Sequence, residues 1–167
     1  MIHVTPLSRL DETLAASGAR RMISLQSLGA TFNRPANIAP SDYLQVAMHD
    51  IAEEREGYVA PSREQVAAIL RFAERVTADD PLLIHCYAGI SRSTAAAFII
   101  AAALRPDIDE AELARELRRH APSATPNPRI VALADDLLDR KGRMIAAARA
   151  IGRGAEAFEG TPFTLLT

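Results

Sequence analysis

The residues best suited to chemistry lie in one short stretch near the middle of the chain. Residues 82–94 read Leu-Leu-Ile-His-Cys-Tyr-Ala-Gly-Ile-Ser-Arg-Ser-Thr, and the chain's one cysteine, Cys86, stands six positions before Arg92. A thiolate is a strong nucleophile, and a guanidinium presents a planar fork of N–H groups that fits two oxygens of a phosphate. The stretch therefore predicts a site in which a nucleophile lies beside a phosphate-binding arginine.

The residues around this pair predict the elements that must position it. The apolar run 82–84 precedes Cys86, and an apolar, alanine-rich stretch runs over residues 94–104. This pattern indicates a buried strand, a tight loop at Gly89 and a helix that starts close to Arg92. The amide N–H groups of such a loop and the positive end of the helix dipole bind anions, and the same field favours a thiolate.

The stretch resembles the signature of the Cys-based protein tyrosine phosphatases, which is His-Cys, five residues, Arg, and then Ser or Thr. His85, Cys86, Arg92 and Ser93 match it. The resemblance implies that Cys86 is the nucleophile, that Ser93 helps its sulfur to leave in a second step, and that His85 supports the loop. It also implies that the substrate's phosphate is bound by the loop residues Tyr87, Ala88, Gly89, Ile90, Ser91 and Arg92. The alternative interpretation is an inert, buried cysteine ahead of a core helix.

Cleavage of a phosphate ester also needs a proton for the leaving oxygen, and that proton must come from another element. Asp50 follows a predicted strand, 86 − 50 = 36 residues before Cys86. In the small dual-specificity branch of the phosphatase family the acid stands at a strand end in an Asp-x-x-x-acidic context, which His49-Asp50-Ile51-Ala52-Glu53-Glu54 resembles. Asp50 is therefore the predicted general acid. The open alternatives are Asp42, Glu53 and Glu54.

Two further features bear on the resemblance. The segment Ala124-Thr125-Pro126-Asn127-Pro128 is similar to the Pro-Asn segment of dual-specificity phosphatases, in which the asparagine ties down the phosphate loop. Asn127 is thus a predicted supporting residue, although an asparagine between two prolines is also ordinary turn chemistry. The chain has no tryptophan, so it lacks the Trp-Pro-Asp acid loop of the large tyrosine phosphatases and resembles the small dual-specificity type.

The rest of the chain alternates predicted strands and helices. This order predicts an α/β fold in which a central, mostly parallel sheet of about four to five strands carries helices on both faces. In such sheets ligands bind at the carboxyl ends of the strands, where Asp50 and Cys86 both stand. We expect a single domain over residues 1–167, with a loose tail over 152–167.

Composition limits the possible partners and location. The chain of 167 residues carries a net charge of −2, which favours neither nucleic acid nor an anionic membrane as a partner. A lone cysteine excludes an internal disulfide, the start lacks the pattern of a signal peptide, and the longest apolar run spans only residues 95–104. We therefore expect a cytoplasmic protein. We expect neither a metal nor a cofactor.

The resemblance implies hydrolysis of phosphate monoesters through a cysteinyl-phosphate intermediate. Family members that act on inositol phosphates tend to carry lysines in the loop, and this loop has none. Glu53, Glu54 and Glu56 would repel a substrate with several phosphates. These features favour phosphotyrosine in a protein as the substrate; the expected partner is thus a phosphorylated protein or a small phosphomonoester. The alternatives are a phosphoinositide or inositol phosphate phosphatase, a non-catalytic phosphate-binding module, and a rhodanese-like sulfur or arsenate enzyme.

Overall fold

The computed structural model describes residues 1–77 and 80–166. It is an α/β fold whose strands and α-helices occur in this order: β1 Ile2–Pro6, α1 Leu10–Ser17, β2 Arg21–Gln26, β3 Tyr43–Ala47, α2 Arg63–Ala73, β4 Leu82–Cys86, α3 Arg92–Leu104, α4 Glu110–His120, α5 Pro128–Leu137, α6 Arg143–Ile151 and β5 Phe163–Leu165. The predicted fold class is confirmed.

The five strands form one sheet in the order β3-β2-β4-β1-β5. The first four strands are parallel to their neighbours, and β5 pairs antiparallel to β1. The central strand β4 has all five residues buried, which is why its sequence is an apolar run rather than an alternation. Because the parallel strands end at one edge of the sheet, the residues that follow β1, β2, β3 and β4 meet there.

The side chains of β4 alternate between the two faces of the sheet. Leu82, Ile84 and Cys86 belong to the larger core, which α2 to α6 cover. Leu83 belongs to the smaller core on the opposite face, beside α1. Cys86 therefore faces the start of α3.

Helix α3 is the central helix of the larger core. Every residue from Arg92 to Ala102 is buried, because α3 lies against β1 and β4 and also contacts α2, α4 and α5. A helix that is covered all round needs small or apolar residues on every face, which explains its alanine-rich sequence. No helix among residues 1–77 and 80–166 is long and apolar enough to cross a membrane.

The end of the chain differs from the prediction of a loose tail over residues 152–167. Phe163 and Leu165 are buried, and β5 pairs with β1 from Ile2 to Val4. The Gly160 N–H also donates a hydrogen bond to Ala88 O at 2.8 Å. The described part of this segment is therefore attached to the sheet and to the loop after Cys86, whereas Thr167 lies outside the described residues.

Candidate active site

The loop between Cys86 and Arg92 joins the end of β4 directly to the start of α3. It turns at Gly89, whose φ is +68°, and a Cβ on Gly89 would lie 2.7 Å from the backbone nitrogen of Pro6. Only glycine combines that backbone conformation with such a close approach. The loop can therefore pass tightly against the end of β1.

Four of the five carbonyl groups between Cys86 and Arg92 point away from the loop. Each accepts a hydrogen bond from a neighbouring backbone N–H: Leu7 N to Tyr87 O at 3.0 Å, Gly160 N to Ala88 O at 2.8 Å, Thr125 N to Ile90 O at 2.9 Å and Asn127 N to Ser91 O at 3.3 Å. In a planar trans peptide the C=O and the following N–H point in opposite directions. The N–H groups that follow these carbonyls are therefore directed toward the inside of the loop, which is the arrangement that binds an anion.

The sulfur of Cys86 is buried, with 2% of the residue exposed, and it has two polar neighbours. The Gly89 N–H donates a hydrogen bond to Cys86 Sγ at 3.3 Å, and Ser93 Oγ lies 3.2 Å from the same sulfur. Both groups can donate a hydrogen bond to a negatively charged sulfur. The structure thus places Ser93 beside Cys86, as the resemblance implied.

Arg92 is buried beneath the loop and is anchored through one end of its guanidinium. Its Nη1 donates hydrogen bonds to Met48 O at 2.9 Å and to Ser27 Oγ at 3.2 Å. Its Nε is buried and has no hydrogen-bond partner among residues 1–77 and 80–166. A buried N–H without a partner is costly in a finished fold. This edge of the guanidinium is thus available for an anion bound in the loop.

Asp50 lies against the same loop. Its Oδ1 accepts hydrogen bonds from Ser91 Oγ at 2.7 Å and from Asn127 Nδ2 at 2.8 Å. Its Oδ2 lies 3.9 Å from Arg92 Nε, and 36% of the side chain is exposed. The structure therefore brings this carboxyl to the edge of Arg92 that carries Nε.

The other carboxylates considered for the acid have different contacts. Asp42 forms ion pairs with Arg21 and Arg75 at 3.3 Å each. Glu54 pairs with Arg129 and is 84% exposed, and Glu53 lines a separate surface concavity beside α5. In the described part of the chain, none of these three carboxylates forms a hydrogen bond or an ion pair with the loop that follows Cys86.

Asn127 combines a structural contact with contacts to the site. Its Oδ1 caps α5 by accepting hydrogen bonds from the N–H groups of Arg129 and Ile130. Its Nδ2 donates hydrogen bonds to Asp50 Oδ1 and to Ile51 O, the latter at 3.3 Å. Its backbone N–H donates a hydrogen bond to Ser91 O. One residue thus ties the start of α5 both to the loop and to Asp50.

His85 lies on the opposite face of the sheet from Cys86, because the two residues are adjacent in β4. Its ring centroid is 4.8 Å from that of Phe32, and neither ring nitrogen has a hydrogen-bond partner in the described part of the chain. Burial, the main cause, and the nearby charge of Arg92 together lower the pKa of His85 to about 4, against an opposing contribution from the backbone of Cys86. The imidazole is therefore neutral near pH 7, and its position behind Cys86 agrees with a supporting rather than a reacting residue.

Three residues of the site were not found by sequence analysis. Ser27 and Met48 anchor Arg92, and Phe32 packs on His85. Ser27 directly follows β2 and Met48 directly follows β3, so both stand at the carboxyl edge of the sheet. That topological rule could have indicated them, whereas nothing local marks Phe32, which lies in a long irregular loop.

Comparison with known proteins gives the class of fold. No family model matches the chain, and no curated protein matches it either. Among solved structures, DUSP15 is 16% identical with a TM-score of 0.61, over 90% of this chain and 89% of that one. Human DUSP28 is 18% identical with a TM-score of 0.59, over 84% and 94%. Tk-PTP in its active form is 22% identical with a TM-score of 0.58, over 83% and 90%.

These structures are dual-specificity and protein tyrosine phosphatases. The chain has their fold, that of the small dual-specificity type of Cys-based phosphatase, and the resemblance noted in the sequence is confirmed at that level.

Proposed function

We propose that the protein is a phosphatase that hydrolyses phosphate monoesters through a covalent intermediate on Cys86. The observation that carries this proposal is the gathering of four groups around one loop. These groups are the sulfur of Cys86, the inward N–H groups, the unpartnered Nε of Arg92 and the carboxyl of Asp50. Together they supply the nucleophile, the charge stabilisation and the proton that phosphoryl transfer requires.

In the first step the thiolate of Cys86 attacks the phosphorus atom, so that an S–P bond forms and the P–O bond to the leaving group breaks. The loop N–H groups and Arg92 stabilise the charge on the transferred oxygens. Asp50 gives its proton to the leaving oxygen. Its Oδ1 is occupied by two hydrogen-bond donors, so Oδ2, the oxygen beside Arg92, is the one that carries the proton.

In the second step water attacks the phosphorus and the S–P bond breaks. Asp50, now a carboxylate, accepts a proton from that water, as microscopic reversibility requires of the group that acted as acid. The hydroxyl of Ser93, 3.2 Å from the sulfur, donates a hydrogen bond to the departing thiolate. The products are inorganic phosphate and the regenerated enzyme.

We propose phosphotyrosine in a protein as the substrate. The loop carries no lysine that would bind additional phosphates, and Tyr87, which follows the nucleophile, is 66% exposed at the surface. An aromatic side chain at this place offers a neutral, apolar contact rather than a charge.

Because Cys86 must stay reduced to act, we also propose that the enzyme works in a reducing compartment, the cytoplasm.

The function can be tested with p-nitrophenyl phosphate and the substitution Arg92→Lys. A lysine keeps the charge but loses the planar fork, so we expect kcat/KM to fall by about 10²–10³, the usual effect of removing a group that stabilises transferred charge. Arg119→Lys is the matched control, because Arg119 is exposed on the surface of α4 and, among the described residues, pairs only with Glu116. Near-normal kcat/KM in Arg92→Lys would show that the phosphate binds elsewhere.

The proposed substrate is tested by comparing turnover of phosphotyrosine peptides with turnover of phosphoserine peptides and inositol polyphosphates.

A further inference from the structure

A small apolar cleft lies directly beside the loop that follows Cys86. It has a volume of about 220 Å³. Three large hydrophobic side chains line it, and the rest of its lining is short or polar; the six residues are Leu7, Ser8, Tyr87, Ala88, Phe158 and Glu159. The cleft therefore shares two residues, Tyr87 and Ala88, with the candidate active site.

The exposure of these side chains is unusual. Phe158 is 86% exposed, Tyr87 is 66% exposed and Leu7 is 38% exposed. They are three of the seven large hydrophobic residues that are exposed in the described part of the chain. Single exposed hydrophobic residues are common, but a cluster of them in a concavity marks a binding surface.

Both walls of the cleft are hydrogen-bonded to the loop that follows Cys86. On one side the Leu7 N–H donates to Tyr87 O at 3.0 Å, and on the other the Gly160 N–H donates to Ala88 O at 2.8 Å. Ser8 Oγ donates to Glu159 Oε2 at 2.7 Å and so joins the two walls to each other. The cleft is thus a formed feature, with a set position relative to Cys86.

The charge of the cleft restricts what can occupy it. Its lining contains no lysine or arginine, and it contains the carboxylate of Glu159. A second phosphate or a carboxylate would be repelled there, whereas a neutral apolar group would cover Leu7, Tyr87 and Phe158. Since the cleft adjoins the loop that would hold the phosphate, a single substrate molecule can reach both.

We propose that this cleft binds an apolar side chain next to the phosphorylated residue of a peptide substrate, and that Phe158 selects for it. The proposal rests on the proposed function, because it takes the phosphate to be bound between Cys86 and Arg92. It adds that the C-terminal segment, through Phe158, takes part in choosing the substrate.

The test uses a set of phosphotyrosine peptides that differ at one position at a time. Alanine at each of the two positions before and after phosphotyrosine is replaced in turn by Phe, Leu, Glu or Lys. With the wild-type enzyme we expect one position at which Phe or Leu raises kcat/KM about tenfold over alanine and Glu lowers it, which is the effect of burying part of an apolar side chain. For Phe158→Ala and for Leu7→Ser, we expect that preference to fall to about twofold.

Two comparisons separate this effect from damage to the fold or to the loop. Phe158→Leu retains an apolar side chain and should keep most of the preference. Glu156→Ala changes the same segment but lies outside the cleft lining, so the preference should persist. The ratio of kcat/KM on the preferred peptide to kcat/KM on p-nitrophenyl phosphate is the readout, since loss of folded enzyme would lower both values together.

The outcomes distinguish the inference from the proposed function. Turnover with no positional preference, or a preference that Phe158→Ala leaves intact, would overturn the role of the cleft. Greater kcat/KM on a phosphorylated lipid in vesicles than on every peptide would overturn the choice of a peptide. If the enzyme turned over no phosphate ester, the proposed function would fail, and binding of the same peptides to Cys86→Ser protein would still test the cleft. Equal affinity for the Phe and alanine peptides would then contradict it.

Discussion

At the scale of single residues, the two oxygens of Asp50 have different surroundings. Oδ1 accepts hydrogen bonds from Ser91 and Asn127, whereas Oδ2 faces Arg92 at 3.9 Å. The first pair of contacts orients the carboxyl group. The second leaves Oδ2 as the oxygen closest to the Arg92 guanidinium. This difference between the two oxygens is what the proposed role of Asp50 as general acid uses.

The substitution Asp50→Asn tests this role. The tyrosine oxygen of phosphotyrosine is a poor leaving group without a proton, so we expect kcat on a phosphotyrosine peptide to fall by about 10²–10⁴. The loss on an activated aryl phosphate should be visibly smaller, and the basic limb of the pH–rate profile should flatten. Asp42→Asn and Glu53→Gln are the matched controls. If either control produced both changes while Asp50→Asn did not, the acid would be that other carboxylate.

The burial of His85 should make the stability of the protein depend on pH. Its pKa is about 4 in the folded protein and 6.5 as the ordinary value, so between these values the unfolded chain binds more protons than the folded one. The contribution of the neutral, buried His85 to the free energy of unfolding is therefore complete above pH 6.5 and is lost as the pH falls through 4. The loss amounts to about 3 kcal/mol in the free energy of unfolding.

Urea unfolding at several pH values between 4 and 7 measures this effect. We expect the difference in unfolding free energy between wild type and His85→Gln to shrink over that range as the pH falls. His120→Gln, which removes an exposed imidazole at the end of α4, controls for the substitution itself. Parallel pH curves for wild type and His85→Gln would contradict a buried, neutral His85.

At the scale of elements, the strand, loop and helix around Cys86 could be predicted because their signals are local. The apolar run of β4, the glycine at the turn and the alanine-rich sequence of α3 can each be recognised from residues that are close together in the sequence. The anchoring of Arg92 by Ser27 and Met48 could not be predicted in the same way. It depends on the strand order β3-β2-β4, which places the ends of β2 and β3 on one side of β4 and which only the folded sheet establishes.

Asn127 connects the start of α5 to Asp50 through hydrogen bonds. Asn127→Ala removes two accepted hydrogen bonds at the start of α5 and one donor to Asp50. We expect a loss of about 1 kcal/mol in stability, the usual effect of losing such a cap, together with a fall of about tenfold in kcat as Asp50 loses its orientation. Thermal unfolding and steady-state kinetics measure the two effects.

Asp109→Ala is the matched control, because Asp109 caps α4 through Ala111 N–H on an exposed surface. It should lose similar stability with kcat unchanged. Equal kinetic losses in Asp109→Ala and Asn127→Ala would mean that Asn127 acts on activity only through the fold.

At the scale of the whole molecule, the C-terminal segment is where sequence analysis was least successful. A three-residue strand after several small and polar residues carries too short a pattern to be recognised. Its stability comes from pairing with β1 and from the burial of Phe163 and Leu165, which are properties of the assembled sheet. The segment also reaches the loop that follows Cys86 through Gly160, so it connects the edge of the sheet to the candidate site.

The substitution Leu165→Ala tests whether this segment is part of the folded domain. Leu165 is 1% exposed, so we expect a loss of about 2–4 kcal/mol in the free energy of unfolding. Phe158→Ala is the control in the same segment, since Phe158 is 86% exposed and its removal should change stability by less than about 0.5 kcal/mol. A Leu165→Ala protein as stable as wild type would show that the segment is not packed as described.

The central claim, that Cys86 is the covalent nucleophile, has a direct test. The enzyme is mixed with an activated aryl phosphate, quenched in acid within milliseconds, digested and analysed by mass spectrometry. We expect phosphate on the peptide that contains Cys86. The amount should be larger in Ser93→Ala, because the sulfur then lacks a hydrogen-bond donor at 3.2 Å when it leaves. The label should be absent in Cys86→Ser, which should still bind vanadate. Turnover in Cys86→Ser within tenfold of wild type, or steady turnover with no phosphate on Cys86 at any quench time, would contradict the account.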